Sequence, residues 1–131
     1  MLVTFPYIMR SEANHAGNRW GHANRTAKAR ELATFYVRRE LADSKEVITF
    51  PCVVTLTRIS PRRIDDGNLS MAFKAIQDGT CDALLPANAG NQYRRWADDS
   101  DGQIIWLYAQ RRGEPKENAV EIRIVPRGPI E

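Results

Sequence analysis

A mixed α/β (α+β) domain, with about four strands in one mixed sheet and two helices packed on it, follows from three observations in the sequence. β-Branched and aromatic residues alternate with polar ones near both ends of the chain, around Val3-Thr4-Phe5 and Val120-Glu121-Ile122-Arg123-Ile124. Two longer stretches, residues 26–41 and 68–84, place apolar residues at helical spacing instead. At 131 residues there is room for one core and little more, so residues 1–131 are expected to form a single domain. The expected order is β-α-β-α-β-β.

The first strand is read at residues 2–8, where Val3, Phe5 and Tyr7 alternate; Pro6 marks an edge or an end because proline cannot donate to a ladder. A polar loop over residues 10–24 follows, with Asn18-Arg19-Trp20 at its centre. Such a loop can reach a ligand, with Trp20 serving either as packing or as a stacking platform. The helix over 26–41 is expected to be capped by Thr26 and buried along Leu32, Phe35, Tyr36 and Leu41, with Arg25, Lys28, Arg30, Arg38 and Arg39 outside. Residues 46–59 are β-branched and apolar, and Pro51 marks a bulge or the true start, so 52–58 is read as the strand proper.

The second helix, over 68–84, puts Leu69, Ala72, Phe73, Ile76 and Ala83 on its packing side. Ser70, Lys74, Asp78 and Asp82 continue from Asp66 along the other side, where Lys74 and Asp78 can form a surface ion pair. A loop over 85–96 leads to a strongly apolar third strand at 103–109, and the fourth carries Val120, Ile122 and Ile124. Because 110–115 reads as a turn, these last two strands are expected to pair as an antiparallel hairpin.

Composition excludes several classes. No run of about 18 apolar residues is present, so no membrane span is expected. The opening MLVTFPYIMR is short and lacks the basic start of a signal peptide, which points to a soluble intracellular protein. Cys52 and Cys81 sit among apolar residues without metal-ligand spacing and read as buried free thiols. His15 and His22 form no zinc motif.

The net charge is +3, and fifteen of the nineteen basic residues are arginine. Arginine's planar fork pairs bidentately with phosphate and stacks on bases, where lysine acts mainly as a point charge. The doublets Arg38-Arg39, Arg62-Arg63, Arg94-Arg95 and Arg111-Arg112 spread this chemistry along the chain, although any one of them can equally be solvated surface.

Two carboxylate clusters stand out against this background: Asp65-Asp66 at the mouth of the second helix, and Asp98-Asp99 with Asp101 before the third strand. Aspartates brought together from separate elements suit a hard cation such as Mg²⁺, which takes oxygen ligands. In a basic protein that combination points to phosphodiester chemistry. The alternative is that these residues only cap helices and fill turns.

The run Arg62-Arg63-Ile64-Asp65-Asp66-Gly67-Asn68-Leu69, the helical Lys74-Ala75-Ile76-Gln77-Asp78, the pair Asp98-Asp99-Ser100 and the loop Asn18-Arg19-Trp20 occur in the order seen in one family. Together they resemble the RusA-like Holliday junction resolvases, small homodimeric Mg²⁺-dependent endonucleases often carried by phages and prophages. The resemblance covers most of the chain. It assigns catalysis to Asp65, Asp66, Lys74 and Asp99, metal ligation to Asp65, Asp66 and Asp99 with help from Asp98 or Asp101, and DNA contact to Arg19, Trp20, Arg62 and Arg63; the loop before Asp98 is longer than the family's and is expected to bring Arg94 and Arg95 beside the acid cluster, in reach of DNA. Gly67 stands where the family has its second aspartate, with Asp66 one residue earlier. Asn68 and Lys74 are also about one turn further apart than in the family, and a continuous helix from Asp66 would put Lys74 roughly 12 Å away.

The implied reaction is in-line hydrolysis of a phosphodiester by metal-activated water, with Mg²⁺ or Mn²⁺ as cofactor and Lys74 neutralising charge at phosphorus. Branched DNA is the expected partner, a homodimer the expected assembly, and the cytoplasm of a bacterium or phage-infected host the expected place. The competing readings are a non-catalytic phage DNA-binding protein of the same fold and a nuclease acting on other branched DNA.

Overall fold

The structure, a computed structural model, describes residues 1–9, 19–84 and 103–127 and, for Arg19, Trp20 and His22, the backbone alone. The described elements are β1 (Leu2–Pro6), α1 (Arg19–Ser44), β2 (Cys52–Ser60), a 3₁₀ turn (Asp66–Asn68), α2 (Leu69–Ala72), α3 (Lys74–Leu84), β3 (Ile104–Arg112) and β4 (Ala119–Pro126). They form a mixed α+β fold around one four-stranded sheet ordered β1-β4-β2-β3. β4 runs antiparallel to both β1 and β2, and β3 runs parallel to β2.

Class and strand number match the sequence reading, but the hairpin does not. β2 lies between β3 and β4, and Gln110, Arg111 and Arg112 extend β3 rather than turning. β4 is hydrogen-bonded on both edges, to β1 and to β2, while Val120, Ile122 and Ile124, at most 2% exposed, turn one face to the core. β3 instead follows β2 through α2 and α3, the kind of crossover connection that parallel neighbours require. After β3 the chain is drawn back to β2, where the Gly113 N–H donates to the Ser60 carbonyl at 3.0 Å.

Alternation puts Phe5, Val54, Leu56, Ile104, Val120 and Ile122 into the core, together with Ala33 and Val37 of α1 and Leu69, Phe73 and Ile76 of the second helical region. The face of α1 differs from the expected one. Ala29, Ala33 and Val37 are buried, whereas Phe35 is 57% exposed and Leu32, Tyr36 and Leu41 only border the core. α3 approaches so closely that a Cβ added to Gly79 would overlap the Arg30 carbonyl oxygen and lie 2.9 Å from the Ala33 Cβ. Small side chains therefore occupy the seam, and Tyr36 stacks beside it on Phe5, ring centroids 4.9 Å apart.

Polar groups close the same seam. Arg30 donates to both oxygens of Asp82 at 2.6 and 3.0 Å, Arg38 donates to the Asp82 carbonyl at 3.2 Å, and the Thr34 hydroxyl donates to the Gly79 carbonyl at 2.8 Å. Arg30, Arg38 and Asp82 thus join the helices instead of decorating free faces. α1 also starts at Arg19, so Thr26 lies inside the helix and does not cap it. Arg19 and Trp20 belong to its first turn rather than to a loop.

The helix expected over 68–84 is divided at Phe73, whose backbone sits at φ −85°, ψ −3° in the bridge region. Phe73 is fully buried and stacks on Tyr108 at 6.1 Å. Both cysteines are buried free thiols; burial pushes Cys52 up to about 11 and Cys81 up to about 12. Among the described residues, no helix is long and apolar enough to cross a membrane.

Candidate active site

Parallel pairing builds the site. Because Ser60 lies opposite Arg112 at the ends of β2 and β3, both strands deliver their carboxyl ends to the same edge of the sheet. Ligand sites in sheets with parallel strands favour that edge. The chain leaving β2 is then fixed by Gln110 of β3, whose side-chain oxygen accepts from the Ile64 N–H at 3.1 Å and whose amide donates to the Ile64 carbonyl at 2.8 Å. Gln110 mimics a further strand residue for Ile64, and so sets where the next residues point.

Those residues are Asp65 and Asp66, and the structure gives them different environments. Asp65 is the N-cap of the 3₁₀ turn, with one carboxylate oxygen accepting from the Gly67 N–H at 3.1 Å. Its other oxygen receives no hydrogen bond from a described residue. Asp66 accepts from Arg63 on both oxygens, at 3.1 and 2.9 Å, and from the Gln110 amide at 2.6 Å. The Gln110 hydrogen bond first, and Arg63 second, hold the Asp66 carboxyl below its ordinary pKa.

A depressed native pKa means that Asp66 favours the folded state above the unfolded carboxylate pKa. This contribution disappears as pH falls through the lowered native value. Gln110→Ala and Arg63→Gln are each expected to raise the Asp66 pKa toward the ordinary range. Carbon-detected NMR titration of the side-chain carboxyl checks both shifts.

Arg63, Asp66, Gly67, Ser70, Tyr108 and Gln110 line an open groove of about 580 Å³. Tyr108 forms part of its wall and is fixed by donating to the Gln77 side-chain oxygen at 2.6 Å. A Cβ on Gly67 would meet only an Asp65 carboxylate oxygen at 3.6 Å, an ordinary contact, so packing does not require glycine there.

Lys74 falls elsewhere. Its ammonium pairs with Asp78 at 3.3 Å, and it borders a separate cavity with Tyr7, Arg25 and Met71. Arg62 and Arg63 lie on the loop after β2, with both side chains exposed. Asp98, Asp99, Asp101, Arg94 and Arg95 lie outside the described residues, as do the side chains of Arg19 and Trp20.

Among the described residues no three His, Cys, Asp or Glu side chains form a metal-binding group. Of the two aspartates on this loop, Asp65 is the one with an open oxygen, and carboxylate oxygens are hard donors that fit Mg²⁺. Asp66 is already engaged by a guanidinium and an amide. Sequence reasoning missed Gln110, taken for a turn residue, and Arg58. The signal for Arg58 was present: it stands in phase with Cys52, Val54 and Leu56 on the buried face of β2. The chain matches no protein-family model and no curated protein.

Proposed function

We propose that the chain is a Mg²⁺-dependent endonuclease of the RusA-like kind that cuts Holliday junctions by phosphodiester hydrolysis in DNA recombination and repair. One observation carries the reading: Asp65 keeps an open carboxylate oxygen on the loop whose next residues, Asp66 and Gly67, line a groove with Arg63 at the carboxyl ends of β2 and β3. Asp99, with Asp98 or Asp101, would complete the oxygen donor set. A Mg²⁺ or Mn²⁺ ion held by these carboxylates would supply Lewis-acid activation of water and charge neutralisation at the phosphate.

The chain's own residues position the substrate. Asp66 fixes the Arg63 guanidinium at the groove, Gln110 holds the loop that carries both aspartates, and Arg62 stands beside them to take a backbone phosphate. Arg94, Arg95, Arg19 and Trp20 are assigned to further DNA contact, whereas Lys74, paired with Asp78, is assigned no step. A C₂ homodimer would present two such sites to the paired strands of a junction, in the cytoplasm of a bacterium or infected host.

A second reading has its own observation. Arg63 already neutralises Asp66 and Asp78 already pairs with Lys74, as expected of a non-catalytic DNA-binding protein. Incubating the protein with a synthetic four-way junction, a flap and a duplex, in Mg²⁺, Mn²⁺ or chelator at fixed salt, separates the readings. Junction cleavage in either metal and none in chelator is expected. Tight junction binding without metal-dependent cutting sinks the enzyme, and preferential flap cutting replaces the substrate.

A further inference from the structure

Next to the acidic groove, and sharing Arg63 and Gln110 with it, lies a second cavity of about 300 Å³. Four arginines, Arg58, Arg63, Arg111 and Arg112, line it and no acidic residue does. Arg58 is the unusual member, being only 6% exposed. Its Nε donates to the Met9 carbonyl at 3.3 Å and one terminal nitrogen to the Arg62 carbonyl at 2.5 Å. Among the described residues no carboxylate pairs with it, and its second terminal nitrogen makes no hydrogen bond. Burial lowers its pKa, yet a guanidinium stays charged in proteins.

The sheet register concentrates this charge. Arg58 and Ser60 stand opposite Gln110 and Arg112, so these four residues share one side of the β2–β3 pair. Arg63 is held by Asp66, and Arg111 leans toward Glu121 at 3.8 Å; Arg58 and Arg112 have no such partner among the described residues. Glu117, on the turn after β3, accepts from the Glu114 N–H at 3.1 Å. Arg58, hydrogen-bonded only to carbonyls, and Arg112 thus bring positive charge to the cavity without a counter-ion among the described residues, an arrangement suited to an anion.

We propose that this cavity binds one backbone phosphate of a nucleic acid strand whose neighbouring segment occupies the acidic groove. The two non-bridging oxygens of a backbone phosphate, each able to accept more than one hydrogen bond, can engage Arg58, Arg112 and the outer edge of Arg63 together. The source of the phosphate rests on the nuclease reading; the anion site itself does not.

The test is made with chelator present and no added metal. Inorganic phosphate and, separately, a short single-stranded oligonucleotide are titrated into the protein while the arginine Nε–Hε NMR signals are followed. Saturable shifts of Arg58 and Arg112 with both ligands are expected, with phosphate displacing the oligonucleotide from them. Arg112→Gln alters an exposed side chain and leaves the fold intact; it should weaken phosphate binding by about tenfold. It should also reduce the slope of log affinity against log salt for the oligonucleotide by about one.

Arg58→Gln should act in the same direction, and Arg123→Gln, on an exposed position of β4, should change phosphate binding little. No saturable response to phosphate, or equal losses in Arg112→Gln and Arg123→Gln, overturns the site. A response to phosphate without one to the oligonucleotide overturns the backbone assignment. Since no metal is added, failure of junction cleavage leaves this inference standing and removes only the nuclease reading.

Discussion

Gly79→Ala is expected to lower stability by about 3 kcal/mol, the upper part of the range for overpacked sites, and the melting temperature by about 10 °C. The added methyl would overlap the backbone carbonyl oxygen of Arg30 and press on Ala33 at 2.9 Å. A flexible side chain could swing aside; a helix carbonyl cannot. Relief therefore requires α1 and α3 to separate, which would lengthen the Thr34–Gly79 and Arg30–Asp82 hydrogen bonds and uncover Ala33 and Val37. Gly67→Ala is the control, because its methyl finds an ordinary 3.6 Å contact, and it should change stability by less than about 1 kcal/mol. Urea unfolding of both variants gives the comparison, and equal losses would show that helix approach does not limit the fold.

That seam also shows where the sequence is legible and where it is not. Strand alternation at Val3-Phe5 and Val120-Ile122-Ile124 is a local property, and those strands appear where the periodicity puts them. Partner choice is not local. The turn-like residues after Ala109 favour a hairpin, but β4 pairs with β1 and β2 and leaves β3 at the sheet edge. Likewise, counting large apolar residues on α1 selects Phe35, while the proximity of α3 selects Ala29 and Ala33.

The candidate site divides along the same line. The acidic pair and the adjacent arginines are visible in Arg62-Arg63-Ile64-Asp65-Asp66. Which aspartate is open is not, because Gln110 reaches Asp66 from β3, which the parallel register places beside β2. Two adjacent residues of the same type thereby acquire different chemistry: Asp66 anchors a guanidinium and an amide, and Asp65 caps a turn with one oxygen to spare.

This difference makes Asp65→Asn the sharpest probe of the proposed chemistry. Asparagine caps helices about as well as aspartate, so its side-chain oxygen can still accept from the Gly67 N–H and stability should change by less than about 0.5 kcal/mol. What it removes is the negative charge on the open oxygen. On the proposed reading, metal-dependent junction cleavage should fall on the order of 100-fold or more, the scale associated with losing one electrostatic contributor to the transition state. Junction affinity in chelator should hold or rise, since a carboxylate facing phosphate is gone. Asp66→Asn should behave differently: it frees Arg63 from its counter-ion and disturbs the loop, changing binding and its salt dependence along with rate. Cleavage rates and metal-free affinities for the two variants, measured side by side, give the comparison. If Asp65→Asn cuts as fast as the parent chain, Asp65 holds no ion, and the cleavage is carried by residues other than this loop's.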